Sequence, residues 1–159
     1  HCLLEGLSFR LRAAYGAAVP AIHDDEIEPG LVVFVDPQQL LADARVCHTK
    51  DPPTSRSGPF VCTSSGSGHS TWAPLTTEPR RERLLLEREW LSGGHRQWLR
   101  DDQYLNDGAN TWTGPDDAFV TASHAELTGP SNRARVSATG MEAIQQEIHR
   151  QRRRQDRTC

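Results

Sequence analysis

The sequence predicts an α+β fold that is mainly β: a small barrel or strongly bent antiparallel sheet with an N-terminal helix and a C-terminal helix. Short runs of apolar and β-branched residues recur between polar loops of uneven length, which is typical of strands. Helical periodicity is confined to the two ends of the chain. A strand-dense order with helices only at its ends favours a small bent sheet or barrel.

Length and composition narrow the class of protein. A chain of 159 residues favours one domain, and a mean hydropathy of −0.63 indicates a modest core with long polar loops. The net charge of −3 excludes a globally basic nucleic-acid binder but not a local basic patch. No run approaches the roughly 18 apolar residues that a membrane span needs, so we expect no membrane partner. Four cysteines without a CxxC pair favour a reducing, cytoplasmic location over a disulfide scaffold.

Residues 1–28 are predicted to be a helix followed by an acidic linker. Apolar side chains recur at spacings of three and four from residue 2 to 18, and Pro20 ends the helix. The run from His23 to Glu28, HDDEIE, clusters carboxylates but lacks the alternating ligand spacing and the glycine of a calcium loop. We therefore expect a solvated linker there rather than a cation site.

Three strands are predicted between residues 29 and 77. Leu31–Val35 is a continuous β-branched and aromatic run between Pro-Gly and Asp-Pro, which predicts a strand that is buried on both faces. Residues 59–62 and 71–75 predict the next two strands, with a flexible connection at 64–68. Because Pro74 cannot donate a hydrogen bond, the third strand should end there or lie at an edge.

The rest of the main domain is predicted to complete the sheet. Residues 81–91 and 95–99 are predicted to form a hairpin around Gly93 and Gly94. Residues 118–123 and 133–137 predict two more strands, and the segment between residues 101 and 115 is rich in turn signals.

The C-terminal helix is predicted from its start signal and its apolar face. Thr139 and Glu142 have the spacing of a capping box ahead of three apolar residues on one helical face: Met141, Ile144 and Ile148. Arginines dominate the residues that follow. We therefore divide the chain into an N-terminal helix and linker (1–28), a main domain with its terminal helix (29–150), and a basic tail (151–159).

Three motifs follow one another in the main domain. A glycine leads a hydrophobic strand, GLVVFVD, from Gly30; a long loop then ends in RSGPFVCT, which begins at Arg56; and a third strand ends in WAPLTT, which closes at Thr77. In this order the motifs resemble the MazF/PemK-like toxin family, and the resemblance extends over roughly residues 29–147. One departure is that Ser57 and Gly58 separate Arg56 from its proline, whereas the family has Arg and Pro adjacent.

The resemblance implies an SH3-like barrel that forms a homodimer, takes part in a toxin–antitoxin pair and cleaves single-stranded RNA without a metal or other cofactor. In such a reaction a 2′-hydroxyl attacks the adjacent phosphorus, so negative charge builds on the non-bridging oxygens. A guanidinium is the natural clamp for that charge, and a threonine hydroxyl can hold a phosphate oxygen. The resemblance implies that Arg56 and Thr76 are catalytic and that Thr77 and Arg80 bind substrate.

Two more residues of this stretch have side chains that suit RNA. His69 is a candidate general acid or base. Trp72 is a candidate platform for stacking an unpaired base, and Trp112 is a second one. The alternative interpretation of both tryptophans is core packing, because a domain with few aliphatic residues depends on aromatic ones.

Other functions stay open. A non-catalytic SH3-like barrel that binds a protein or nucleic-acid partner is favoured by the separation of Arg56 from Pro59 and by the length of the 81–115 segment. A cysteine-dependent hydrolase would use Cys62 with His69 or His48. A zinc site would draw on these three residues and Cys47, although their spacing matches no tight zinc knuckle.

Overall fold

Antiparallel strand pairing dominates the computed structural model, which describes residues 21–50, 57–124 and 132–158. The predicted helix at residues 2–18 lies outside these ranges. The described residues form ten strands: β1 (Leu31–Val35), β2 (Cys47–His48), β3 (Gly58–Gly66), β4 (His69–Thr76), β5 (Leu85–Leu86), β6 (Leu91–Ser92), β7 (Gln103–Leu105), β8 (Trp112–Pro115), β9 (Ser123–His124) and β10 (Ala134–Val136).

Helices are short except at the C-terminal end. Those within the described ranges are α1 (Pro37–Leu41), α2 (Arg96–Arg100), α3 (Asp116–Ala122) and α4 (Ala138–Thr158), with 3-10 turns at Asp24–Glu26 and Arg88–Trp90. The prediction of an α+β fold with a mainly antiparallel sheet and a C-terminal helix is confirmed. The main strand order is β2–β8–β4–β3–β1–β10–β6, and these described strands do not close into a ring. None of the described helices is long and apolar enough to cross a membrane.

Strand β1 is the centre of the sheet and has the bounds that the sequence predicts. It pairs with β3 along one edge, and its other edge is shared by β10 near Leu31 and β9 near Val35. Val32 packs into one hydrophobic cluster, while Leu31, Val33 and Val35 pack into another. Because successive side chains point to opposite faces of a strand, the continuous apolar run of β1 supplies both sides of the core.

The β3–β4 hairpin is longer than predicted. Residues 64–66, which were expected to form a flexible connection, continue β3, and the turn is confined to Ser67 and Gly68. Both have positive φ, at 55° and 76°, as in the tight two-residue turns that match the twist of a hairpin.

Pro74 lies inside β4, so the prediction that it ends the strand or marks an edge is wrong. On one side Pro74 pairs with Phe60 of β3. On the other side β4 changes partner, from β8 at Trp72 to β7 at Leu75. The Pro74 carbonyl accepts from the Asn106 amide on that second side, at 3.0 Å. Pro74, which has no N–H to donate, therefore lies at the point where β4 changes its partner strand.

Two predicted strands are helices. Residues 95–99, the expected return strand of a hairpin, fold mainly into α2, and β6 pairs with β10 instead. Residues 118–123, also predicted as a strand, lie mostly in α3. Asp116 and Asp117 in the first turn of α3 favour a helix start, and Ala118, Phe119 and Ala122 reach the core at helical spacing.

Helix α4 begins earlier than its predicted capping box. The Ser137 hydroxyl accepts from the Gly140 amide at 3.2 Å, so Ser137 rather than Thr139 occupies the capping position. The predicted apolar face is confirmed, because Met141, Ile144 and Ile148 are buried. The helix continues without a break through residue 150, where the basic tail was expected to begin.

The acidic segment after residue 22 keeps Asp24, Asp25 and Glu28 exposed, while its apolar side chains pack into the domain. Ile22 is fully buried, and Ile27 is also in the core. Glu26 accepts from Arg133 at 3.0 and 3.1 Å, and the Arg133 side chain is only 5% exposed. These contacts fasten residues 21–28 to β10.

Candidate functional site

A cleft of about 800 Å³ opens where β4 ends. We call it the β4 cleft. Its apolar wall includes Phe34, Phe60, Leu75 and Trp98. Its polar wall includes Ser57, Thr76, Thr77, Glu78, Arg80 and Arg83. An apolar cavity with a few convergent polar groups is the usual form of a binding or active site.

Thr76 is held with its hydroxyl at the mouth of this cleft. It is the last residue of β4 and pairs with Tyr104 of β7. The Thr76 hydroxyl oxygen accepts a hydrogen bond from the Glu78 amide at 3.2 Å. Since a hydroxyl both accepts and donates, its hydrogen remains able to bind an incoming oxygen. Thr77 follows directly and is exposed.

The two arginines of the cleft have different roles. Arg83 is fixed: its guanidinium donates to the Asn106 carbonyl at 2.9 Å, the Asn106 side-chain oxygen at 2.8 Å and the Glu78 carbonyl at 2.8 Å. The Arg83 side chain is only 11% exposed. Arg80 is exposed, and its nearest carboxylate is Glu78 at 3.6 Å. Arg83 therefore builds the wall, whereas Arg80 is the cation that a ligand can reach.

Gln103 lines the cleft with a hydrogen-bond acceptor that has no partner. Its side-chain nitrogen faces the carbonyls of Trp98 and Asp101 at 3.4 and 3.5 Å, which fixes the orientation of the amide because both contacts are acceptors. The opposite atom, Oε1, is buried and has no donor among the described residues. Such an acceptor is costly to the fold, and a ligand that donates a hydrogen bond would satisfy it.

Three of the predicted site residues come together. Thr76, Thr77 and Arg80 all line the β4 cleft. Arg56 lies outside the described residues, but Ser57, which directly follows it in the sequence, lines the same cleft.

His69 does not join this group. It begins β4, whereas Thr76 ends it, and an eight-residue strand spans roughly 23 Å between its first and last residues. The His69 ring contacts the Ser67 carbonyl at 3.4 Å, beside the hairpin turn. A role for His69 in the chemistry of the β4 cleft is thus excluded by distance within one chain.

Trp72 cannot stack a base, so its prediction as a substrate-binding residue is wrong. The side chain is fully buried, and its ring stacks on Phe119 with centroids 5.4 Å apart. Its indole N–H donates to the Ser70 hydroxyl at 2.8 Å. Trp112 is fully buried as well. Both tryptophans belong to the core, as their alternative interpretation holds.

The cysteine-based alternatives find no support in the geometry. Burial raises the pKa of the Cys62 thiol to about 12, so it is not ionised near neutral pH. Its sulfur donates to the Ser64 carbonyl at 3.4 Å rather than to a histidine. Cys47 is exposed on β2. Within the described ranges, no three His, Cys, Asp or Glu side chains meet in a group suited to a metal ion.

Sequence reasoning missed the residues that complete the cleft from outside the three motifs. Glu78, Arg83, Gln103 and Asn106 all line it. The turn signal at Asn106-Asp107-Gly108 is visible in the sequence, but it does not show that Asn106 meets Arg83. That contact follows from the pairing of β7 with β4.

The sequence matches no protein-family model, no curated protein and no solved structure. The resemblance to the MazF/PemK-like family therefore stays a prediction. The β4 cleft combines an accessible guanidinium, two adjacent threonine hydroxyls, a neighbouring carboxylate and a buried acceptor that has no donor among the described residues.

Proposed function

We propose that this chain is a metal-independent endoribonuclease, similar to the MazF/PemK-like toxins, that cleaves single-stranded RNA in the β4 cleft. One observation carries the proposal: Thr76, Thr77 and Arg80, which the motif order singles out, line one cleft together with Ser57, the neighbour of Arg56. The proposal includes the finer features that the resemblance implies, namely an SH3-like barrel, a cytoplasmic homodimer and an antitoxin protein that inhibits it.

The chemistry suits these side chains. The 2′-oxygen attacks the adjacent phosphorus, the bond from phosphorus to the 5′-oxygen breaks, and the products are a 2′,3′-cyclic phosphate and a 5′-hydroxyl. Negative charge grows on the non-bridging oxygens during this step. Arg80 and Arg56 stabilise that charge as guanidinium donors, and the Thr76 hydroxyl donates to one of the oxygens.

A proton must also leave the 2′-hydroxyl and another must reach the 5′-oxygen. We assign the first transfer to Glu78, because its amide is bonded to Thr76 and its carboxylate lies 3.6 Å from Arg80. Water supplies the second proton, since Glu78 and Arg80 are both exposed to solvent. A carboxylate beside the phosphate-binding groups is placed to act as a general base. The Glu78→Gln variant should lower the cleavage rate by about 10² to 10⁴-fold.

Mapping the ends of cleaved RNA tests the proposal. The purified protein is incubated with long single-stranded RNA in EDTA, and we expect cuts that leave 2′,3′-cyclic phosphate and 5′-hydroxyl ends. Arg56→Ala, Thr76→Ala and Arg80→Ala should each lower the cleavage rate by about 10² to 10³-fold. Thr71→Ala and Arg96→Ala are matched controls outside the cleft and should cleave normally. Intact RNA, or cleavage that depends on an added divalent ion, would contradict the proposal.

A non-catalytic binding module is the second candidate. The observation that favours it is the charge of the β4 cleft, where the described lining residues include two carboxylates, Glu78 and Asp101, and two guanidiniums, Arg80 and Arg83. A balanced cleft suits a peptide segment with both charges better than a polyanion. Expression in cells separates the two candidates, because a binding module should not arrest growth, whereas an endoribonuclease should do so and lose the effect in Thr76→Ala.

A further inference from the structure

A second cavity adjoins the β4 cleft along the last turns of α4. It has a volume of about 650 Å³ and lies between residues 80–84, residues 105–109 and the helix. We call it the helix groove. Arg80, Arg83 and Asn106 line both cavities, so the two meet at a common wall. The exposed Arg80 therefore adjoins both cavities.

The helix groove is lined by more positive than negative side chains. Among the described residues, its cations are Lys50, Arg80, Arg81, Arg83 and Arg154, and its carboxylates are Glu82, Asp107 and Glu147, a difference of two charges. The whole chain, in contrast, carries a net charge of −3. Since a polyanion responds to the local distribution of charge, the groove is the part of this surface that favours one.

Two of the groove cations, Lys50 and Arg83, are held by neighbouring residues. Lys50 is paired with Asp107, and Arg83 is held by Asn106. Arg80 and Arg81 are both exposed and adjacent in the chain. Arg154 is exposed on α4, where Glu147, Gln151, Arg154 and Gln155 line the groove from one helical face. Exposed guanidiniums thus line the groove from two elements, Arg80 and Arg81 after β4 and Arg154 on α4, and guanidiniums donate to phosphate oxygens.

We propose that the helix groove binds the sugar–phosphate backbone of single-stranded RNA on one side of the cleaved bond. The identity of the polymer depends on the function proposed above. Among the described residues, the apolar lining of the groove is limited to Leu84, Leu105 and Ala109, and none of the lining side chains is an aromatic one on which a base could stack. The groove therefore contributes affinity that depends on salt but not on base sequence.

Salt titration of RNA binding tests this assignment. A labelled single-stranded RNA that is long enough to pass through both cavities is titrated with the full chain in EDTA at several salt concentrations. The Thr76→Ala background is used because cleavage is slow there. Arg81→Ala combined with Arg154→Ala should reduce the steepness of the negative slope of log K for association against log salt by about 1.4, at about 0.7 for each phosphate contact. Arg81→Ala alone should reduce the steepness by about 0.7, which keeps the test valid if the double variant is unstable.

Controls define the outcomes. Arg88→Ala combined with Arg96→Ala removes the same number of charges outside both cavities and should leave the slope unchanged. DNA of the same sequence should show the same decrease as RNA, whereas a decrease confined to RNA would overturn the assignment to phosphates. RNA that binds as expected but stays uncut would contradict the proposed function and leave the groove assignment in place. If RNA is cut but the salt dependence of its binding is the same with and without Arg81 and Arg154, only the groove assignment is overturned.

Discussion

The guanidinium of Arg83 donates to both oxygens of Asn106, at 2.9 Å to the carbonyl and 2.8 Å to the side chain. A third bond reaches the Glu78 carbonyl at 2.8 Å. One buried side chain thus ties the segment after β4 to the segment after β7. Because Arg83 and Asn106 line both cavities, this contact sets the wall between the β4 cleft and the helix groove.

Replacing Arg83 should therefore destabilise the fold. Arg83→Ala leaves several acceptors without a donor, and we expect the free energy of unfolding to fall by about 1–3 kcal/mol. Arg83→Lys should not restore it, because an ammonium cannot reproduce the geometry of the planar fork. Denaturant unfolding followed by tryptophan fluorescence measures the change. Arg88→Ala, which loses one exposed pair with Asp102 at 3.2 Å, is the control and should differ little from the wild type. If Arg83→Lys keeps the free energy of unfolding of the wild type, the three hydrogen bonds of Arg83 do not stabilise the fold in this way.

Local sequence patterns predict those elements of the fold whose conformation is determined by residues that are close together in the sequence. β1 is predictable because a β-branched run between turn signals has few other conformations, and the face of α4 is predictable from its period. Residues 118–123 are ambiguous, since a short apolar run suits either structure. The packing of Phe119 on Trp72 favours the helix α3 over a strand, and this is a contact between residues that are distant in the sequence.

Some residues of the candidate site can be predicted from local sequence patterns, and others cannot. Thr76, Thr77 and Arg80 follow one strand, so a motif can indicate them together. Gln103 and Asn106 reach the cleft only because β7 pairs with β4, a contact between distant parts of the sequence. Nor does a sequence motif show what packs against a strand: the contact with Phe119, which is distant in the sequence, buries Trp72 in the core and keeps it from a substrate.

The ion pair between Glu26 and Arg133 should make stability depend on acidity. Burial of the Glu26 carboxyl raises its pKa, but the hydrogen bonds from Arg133 and the His23 amide, together with the charge of Arg133, hold the pKa below its ordinary value of 4.5. A carboxyl with a lowered folded-state pKa stabilises the fold above its unfolded-state pKa, and that contribution disappears as the pH falls through the folded-state pKa.

Glu26→Gln tests this dependence. At neutral pH it should lower the free energy of unfolding by about 1–3 kcal/mol, because the buried Arg133 loses its charged partner. The difference from the wild type should shrink as the pH falls below 4.5, the ordinary pKa of the carboxyl. Glu28→Gln, whose pair with Arg135 is largely exposed, should cost less than about 1 kcal/mol. A difference that stays constant at low pH would show that Glu26 acts through packing alone.

Gly140 is required by the close approach of α4 to the sheet. A Cβ there would lie 2.5 Å from a Val136 methyl group and 2.9 Å from the Trp90 Cβ. Alanine favours a helix over glycine by about 1 kcal/mol, but overpacking typically costs about 1–3 kcal/mol. We therefore expect Gly140→Ala to lower the free energy of unfolding. Thr139→Ala, at the exposed neighbouring position, should not. Stabilisation by Gly140→Ala would mean that α4 does not pack this closely.

Cys62 should resist alkylation in the folded protein. Its pKa of about 12 leaves almost no thiolate near neutral pH, and the side chain is fully buried, whereas Cys47 is exposed. Iodoacetamide treatment followed by peptide mass mapping should show label at Cys47 and none at Cys62, and denatured protein should be labelled at both. Cys62→Ala should retain RNA cleavage. Loss of cleavage in that variant would restore the cysteine-dependent hydrolase as an interpretation.

Replacing Gln103 should affect the stability of the fold and the affinity for RNA differently. Its nitrogen makes only long contacts, at 3.4 and 3.5 Å, and its oxygen has no donor within the described ranges. Replacing Gln103 with an apolar residue of similar size removes the desolvation penalty of the buried oxygen, and it costs only two contacts at the limit of hydrogen-bond distance. We therefore expect Gln103→Leu to leave the free energy of unfolding unchanged within about 0.5 kcal/mol, or to raise it. Gln145→Leu, which loses a bond of 2.6 Å to the Thr63 carbonyl, is the control and should be destabilised.

RNA binding by the same variant gives the second readout. If the Gln103 oxygen accepts from a base in the β4 cleft, Gln103→Leu should bind single-stranded RNA more weakly although its fold is at least as stable. Opposite signs for stability and affinity are the signature of a polar group retained for function, since proteins tolerate an unsatisfied polar atom chiefly where a ligand satisfies it. A fall in stability above about 1 kcal/mol would instead show that the oxygen already has a donor in the folded protein.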